Sequence, residues 1–302
     1  MADFFGVSYD GSLHSNQSSF PLSVAQEEFF EFLRPKPGPC KLIRLGGNRD
    51  GAYLLPDDLG GVAACFSPGV KNKKDFEDEL ATSYAIPSHM CDKSSDPELF
   101  RTPLIKGMQT FRKVWLDIEN SHDAVTLSTW IAQDAPAMGD LLLQMDIEGA
   151  EFRILLNAAP EVLSRFRIIV LEIHALHRMN DAGVLFEVML PLARKLGEFF
   201  HCVHLHPNNA SISFEARHIR RPCPRLLEMT LLRKDRFPNG KPDRSGQVLL
   251  PHPLDIPRNV WGKAPIFLDE HWLGGAQRSS TSLRKIAEDE NDFKAFLSRA
   301  RT

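Results

Sequence analysis

Over most of the chain the apolar positions fall in short continuous runs rather than in strict alternation. Gly61–Val70, Asp140–Met145 and Arg165–Ile173 are such runs, and they suit strands buried on both faces of a sheet. Ile86–Asp92 and Phe111–Ile118 read as a second and a third strand. Between the runs the apolar spacing turns helical. Ser23–Leu33 places Val24, Phe29, Phe30 and Leu33 on one face, with Ser23 as N-cap, and Pro35, Pro37 and Pro39 end it. Further helices are expected from about Asp75 to Ser83, over Val125–Ala132, from Glu151 to about Asn157, and over Asp181–Leu196. Pro191 should bend the last of these, because proline cannot donate its backbone hydrogen bond. Lys41–Pro56 carries two apolar segments around a Gly/Asn/Asp cluster and reads as a hairpin that offers Arg44, Asp50 and Tyr53 to one side. Phe199–Asn209 alternates, with His204 and His206 on one face and Val203 and Leu205 on the other. Leu226–Lys234 is the final strand.

The stretch Asp140–Glu151 organises the rest. Its apolar run ends abruptly at Asp146 and Glu148, Gly149 permits a tight turn, and Glu151 opens a helix where the dipole favours an acid. Ligands of open α/β sheets bind outside the carboxyl ends of the strands, so Asp146 and Glu148 are expected at the floor of a pocket.

Asp146-Ile147-Glu148-Gly149-Ala150-Glu151 resembles the D-[IV]-E-G-[AS]-E signature of the FkbM-like methyltransferases, which use S-adenosylmethionine (SAM). Other segments resemble one branch of the same family in the same order. Arg44 to Pro56 is similar to R-x-G-x-x-x-D-G-G-Y-x-[VL]-P, with Ala52 in place of one glycine. Gly69 to Glu77 is similar to G-[VI]-G-x-x-x-x-F-E, with Lys71 in place of the second glycine. Asp92-Lys93-Ser94 matches D-x-[TS], and Leu171–His174, His204–Asn209 and Glu228–Asp235 complete the series. The resemblance covers roughly Lys41 to Asp235. It implies a Rossmann-like SAM methyltransferase fold, an α/β architecture with a mostly parallel sheet whose last strand is antiparallel. It also implies cofactor-binding roles for Gly69, Glu77, Asp92, Asp146 and Glu148. An acid at the position of Asp92 would accept hydrogen bonds from the ribose hydroxyls of the cofactor. The chain then divides into an N-terminal arm and helix (1–40), a methyltransferase core (41–236) and a C-terminal lid or brace (237–302).

Composition narrows the partners. The chain has 302 residues, 43% of them hydrophobic, enough for one large domain. A net charge of −3 favours neither nucleic acid nor an anionic membrane, and no apolar run is long enough to span a bilayer. The five cysteines are odd in number and form no C-x-x-C pair, which suits a reducing cytoplasm. Met1–Phe20 has no signal-peptide character and reads as an irregular arm. His252–Trp272 is too apolar to float free and is expected to wrap the domain, and Ser280–Ala300 reads as a terminal helix. No feature of the sequence sets an oligomeric state.

The resemblance implies methyl transfer to a hydroxyl on a sugar or sugar-containing natural product, with a small-molecule or saccharide acceptor. An alcohol acceptor calls for a base, and His174, His206, Asp146 and Glu172 all come from strand ends on the pocket side. Asn208 and Asn209 are candidates for holding sugar hydroxyls or the adenine edge. Phe214–Arg225 reads as a loop in which Arg217, Arg220, Arg221 and Arg225 concentrate positive charge, with Arg220 and Arg221 as candidates for holding an acidic group on the acceptor. Asp146, Glu172, His174 and His206 are also plausible ligands for a divalent ion. Two alternatives stand beside this reading: a metal-dependent hydrolase on the same fold, and a non-catalytic ligand-binding descendant, to which Lys71 in the glycine loop points.

Overall fold

The computed structural model describes residues 21–243 and 245–273. The expected N-terminal arm and the terminal helix at 280–300 lie outside the described residues.

In chain order the elements are α1 (Leu22–Leu33), β1 (Leu42–Leu45), β2 (Tyr53–Pro56), β3 (Val62–Pro68), α2 (Asp75–Tyr84), β4 (Ser88–Cys91), β5 (Gln109–Arg112), β6 (Trp115–Asp117), β7 (Ala124–Thr126) and α3 (Leu127–Asp134). They continue with β8 (Asp140–Met145), α4 (Glu151–Asn157), α5 (Pro160–Ser164), β9 (Phe166–Ile173), α6 (Ala182–Val184), α7 (Leu190–Phe199), β10 (Phe200–Pro207), β11 (Ser213–Ala216), β12 (Arg221–Pro224) and β13 (Leu227–Arg233). Seven strands form one sheet in the order β10-β13-β9-β8-β3-β4-β5. The run from β9 to β5 is parallel, and β13 lies antiparallel between β9 and β10. This large mixed sheet in an α/β chain is consistent with a Rossmann-like methyltransferase fold.

The continuous apolar runs become the central strands because both faces of the sheet are covered. On one face Leu141, Leu143, Ile169 and Leu171 pack with Phe30 of α1, Trp130 of α3, Phe152 of α4 and Leu196 of α7. On the other, Leu142, Ile168, Val170 and Leu232 pack with Leu45, Tyr53 and Leu55 of the β1–β2 hairpin and with Phe76 and Leu80 of α2. Nearly every side chain along β8 and β9 is buried as a result.

Several elements differ from the sequence-based expectation for identifiable reasons. The expected third strand divides: only β5 joins the main sheet, and β6 pairs in parallel with β7 as a separate ribbon. Residues 124–126, expected in a helix, form that ribbon's second strand, and Thr126 caps α3 by accepting from the Thr129 N–H. No side chain caps α1, which starts after Pro21 rather than from a Ser23 cap. The long helix at 181–196 is interrupted by a π-helical turn at Leu185–Met189, just before Pro191 at the start of α7. A proline there cannot complete the regular ladder, so the preceding turn widens. The region 214–225, read as a loop, is the β11–β12 hairpin. A register shift between Cys202 and His204 in β10 breaks the expected alternation, so Val203 and Leu205 enter opposite core layers.

The segment 250–273 has little regular structure but is fastened to the core. Trp272 is fully buried with its ring 4.7 Å from that of Phe30. Asn209 clamps the segment by donating to the carbonyls of Val260, Lys263 and Ala264 and accepting from the Val260 N–H at 2.8 Å.

Candidate active site

The carboxyl ends of β3, β4, β8 and β9 meet at one edge of the sheet, and the turns that leave them carry the titratable side chains. Gly69 follows β3 with φ +88°, and a Cβ there would lie 1.6 Å from the Asp146 carbonyl oxygen. The glycine is required because the two turns touch each other, rather than because a ligand must approach it. Lys71, at the second glycine position of the resemblance, keeps a glycine-like backbone (φ +44°) and turns its side chain into solvent, 81% exposed. Glu148 is also left-handed (φ +56°), a conformation that costs a non-glycine residue energy and recurs at functional sites. Its carboxylate lies 3.5 Å from Lys71 Nζ.

A cavity of about 470 Å³ opens between these turns. It is lined by Gly69, Asp92 and Ser94 on one side, Asp146, Ile147 and Glu148 on another, and Val114, Trp115, Leu116, Asp117 and Arg153 across from them. The size falls within the range typical of small-ligand sites. The expected third strand contained 114–117, but not the break after β5 that swings them over the cavity. Asp92 stands at its edge with both carboxylate oxygens engaged. One accepts from the Lys71 N–H and Ser95 Oγ, the other from the Ser94 N–H and Ser94 Oγ. Burial alone would raise its carboxyl and is the largest influence, but these hydrogen bonds outweigh it and hold the group below its ordinary range. Two of the four donors are serine hydroxyls, which can rotate away to admit another donor.

Asp146 joins this cavity to a second group of residues. His174 Nε2 lies 3.8 Å from Asp146, 3.5 Å from Glu172 and 3.5 Å from Glu148. Its other nitrogen meets Glu151 Oε1 at 3.1 Å. Glu151, expected only to open a helix, is buried and also accepts from the Ile147 N–H at 2.9 Å. It thereby fixes the turn and the imidazole together. Burial would lower His174, and that is the largest single influence. The hydrogen bond and charge of Glu151, with the charges of Asp146 and Glu148, outweigh it and leave the imidazole above its ordinary range. Burial also pushes Asp146 up to about 6 and Glu172 well above the carboxylate range, with the charge of Asp146 adding to the latter. Two such carboxyls cannot both ionise cheaply, so ionising one raises the other. Asp146 Oδ1 is buried and lacks a hydrogen-bond partner.

The acid row extends across the sheet by register. Glu172 of β9 faces Glu228 of β13, which faces His206 of β10. Asn208 donates to Glu172 at 2.5 Å and to Asp50 at 3.3 Å, and the carboxylates of Asp50, Glu172 and Glu228 converge within 4.8 Å. Arg44, from the hairpin, is half-buried near Glu228 and Asp255.

Some expected site residues are placed elsewhere. His206 does not join His174, Asp146 and Glu172. It lies two strands away, its Nε2 meeting Asn259 at 3.1 Å and its Nδ1 3.6 Å from Asp255, both in the C-terminal segment. Asp255 also sits 3.0 Å from His204. Asn209 is wholly engaged in clamping that segment. Arg221 packs over the Phe30 ring and pairs with Glu27 at 2.8 Å, and Arg220 sits exposed in the hairpin turn. Glu77 is buried beneath the glycine loop, in contact with Ser67, and is pushed up to about 7 by burial. Of the expected metal ligands, Asp146 and His174 gather with Glu148, their donor atoms within 4.8 Å of one another, and Glu172 gathers instead with Asp50 and Glu228.

These shifts give a pH dependence of stability. Burial lowers His206 and is the largest influence, but Asp255 and Glu228 reverse it and raise the imidazole to about 9, while burial raises Glu228 to about 7. Both folded values lie above the ordinary ones, so stability is full below the latter and is lost as pH rises through the former. His204, lowered to about 4 chiefly by burial, acts in the opposite sense but only below its ordinary value of 6.5. The urea midpoint is therefore expected to fall between about pH 6.5 and about pH 9.5, by on the order of 3 kcal/mol in stability at 1.4 kcal/mol per unit. An equal or higher midpoint at the upper pH would contradict the assigned charge of His206.

Residues 103–200 match the family model of the methyltransferase FkbM domain. The match runs from β5 through α7 and includes Asp146, Glu148, Glu151, Glu172 and His174, while Gly69, Asp92 and β10 fall outside it. No curated protein matches the chain. The match supports an FkbM-like methyltransferase family, and so a methyltransferase in general terms. Among the described residues no helix is long and apolar enough to cross a membrane.

Proposed function

From the premise that this chain carries an FkbM-type methyltransferase domain, we propose that it transfers a methyl group from SAM to a hydroxyl of a sugar or sugar-containing molecule. The observation that carries this reading is the shared position of Asp146. It lines the cavity beside Asp92 and also faces the nitrogen of His174 that points away from Glu151. Donor and acceptor sites would then meet at one residue, as an in-line displacement requires.

The residues present fit SAM. Asp92 and Ser94 would take the ribose hydroxyls. Val114, Trp115, Leu116 and Ile147 offer an apolar lining for a purine face, and Asp146 and Glu148 supply negative charge near a sulfonium. When bound, SAM supplies the electrophilic methyl. The chain positions the acceptor, and His174, held by Glu151, takes the hydroxyl proton at Nε2 once that nitrogen is unprotonated. The donor set of Asp146, Glu148 and His174 also fits a divalent cation, which would acidify an acceptor hydroxyl there; His174 Nε2 would then be a ligand and no longer the base. Elemental analysis of protein purified without added metal tests that addition separately. The cysteines of the described residues are all free, which supports a reducing, cytoplasmic home.

Calorimetry with SAM is the direct test. Asp92→Ala is expected to weaken SAM by about 1.5–3 kcal/mol, the range for hydrogen bonds to a charged group. Equal SAM affinity in wild type and Asp92→Ala would remove the ribose from this position.

A further inference from the structure

A second cavity, of about 570 Å³, is bordered by residues 177–181, which follow His174 in the chain. Three arginines line it from separate elements: Arg178 from the turn after β9, Arg217 from the β11–β12 turn and Arg225 from the end of β12. Asp181 and Glu215 share the lining, and Asp181 lies 3.4 Å from Arg178. Arg217 and Arg225 form no ion pair among the described residues. In a chain of net charge −3, this leaves a locally cationic hollow. Its remaining wall is partly apolar, with Phe214 and Ile212, and the His177 ring stands edge-on to Phe214 at 6.2 Å. Burial first, then the charges of Arg225 and Arg178, hold His177 below its ordinary range. His177 Nδ1 is buried and without a hydrogen-bond partner.

The cavity is tied to the site already described. The Leu176 N–H donates to the Arg225 carbonyl at 3.2 Å, so the hairpin and the His174 loop are joined. His177 follows His174 by three positions, a backbone span of at most about 11 Å.

We propose that this cavity is a binding site for a carboxylate or phosphate group on the acceptor, held by Arg178, Arg217 and Arg225, with the acceptor's ring against Phe214. Guanidinium forks suit both anions because they donate in parallel pairs. The arginines that perform this are not Arg220 and Arg221, neither of which lines the cavity. The inference rests on the proposed function only in calling the ligand the acceptor; anion binding stands on the cavity alone.

The test is calorimetry with three probes: glucose, glucose 6-phosphate and glucuronate. Wild type is expected to bind at least one anionic probe ten-fold or more tightly than glucose, and less tightly as salt is raised. Arg217→Gln and the Arg217→Gln/Arg225→Gln pair should lose that preference stepwise, while Arg220→Gln should keep it. Arg217 is exposed, so the single variant tests the idea even if the pair folds poorly. No preference in wild type, or a preference that survives Arg217→Gln undiminished, overturns the proposal. SAM titrated into the same samples separates the two ideas: intact SAM binding without anion preference defeats this inference alone, and anion preference without SAM binding defeats the proposed function alone.

Discussion

His174→Ala is expected to lower kcat for methyl transfer by about 10²–10⁴-fold, the range for loss of a positioned general base, with SAM affinity little changed. The imidazole has three acids within 3.8 Å of Nε2 and a fourth, Glu151, at 3.1 Å from Nδ1. That arrangement orients one nitrogen toward Asp146 and assigns the other to Glu151. Glu151→Gln should give a smaller loss of kcat, because an amide can still meet Nδ1 but can present its NH₂ and select the wrong tautomer. Since the resting imidazole lies above its ordinary range, it holds its proton to higher pH than a free imidazole, and a base must be uncharged to act. Activity should therefore rise with pH through the neutral region, and Glu151→Gln should move that rise to lower pH. Stopped assays over a pH series, with SAM binding measured beside them, check this. Full turnover by His174→Ala would place the base on the Asp146–Glu172 pair instead.

Asp255→Ala is expected to cost about 3–5 kcal/mol of stability, the usual effect of removing one partner from a buried charge pair. Asp255 is 2% exposed, between His204 and His206, and it carries the negative charge that keeps a buried His206 protonated. Burial alone would raise its carboxyl and is the largest influence; the nearby imidazoles of His206 and His204, with the hydrogen bond it accepts from the His252 N–H, outweigh it. Without Asp255, His206 must either lose its proton or remain as an uncompensated cation beside Glu228. The C-terminal segment would loosen at the same point, since Asn259 bridges His206 and Glu228. Urea unfolding near neutral pH measures the loss. A paired change, His206→Leu with Asp255→Leu, should recover part of it, because two apolar groups carry no unmet charge. An unfolding midpoint for Asp255→Ala equal to wild type would show that the segment does not depend on this charge.

Much of the fold was legible because the local signals agreed with the tertiary outcome. The apolar runs at β3, β8 and β9 are buried on both faces, so continuous hydrophobicity and strand formation have one cause. The acids at 146, 148 and 172 end such runs, and strand ends in an open α/β sheet face a ligand edge. The family signature at 146–151 was likewise readable residue by residue. Local pattern could not show which distant segment would meet each side chain. His206 and His174 have the same sequence character, a histidine after an apolar run. Only the covering C-terminal segment, through Asp255 and Asn259, holds one among structural partners and leaves the other beside Asp146, which lines the cavity. Glu151 sits at a helix start, where an acid needs no further explanation, and its partner His174 is 23 residues away. Arg221 is drawn to Phe30 and Glu27 across the chain, while Arg178, unremarkable in sequence, turns into the same hollow as Arg217 and Arg225. The sequence by itself determined the strands, their acidic ends and the glycine needed at Gly69. The tertiary structure alone decided which charges are paired, because pairing depends on what covers each strand end rather than on the residues beside it.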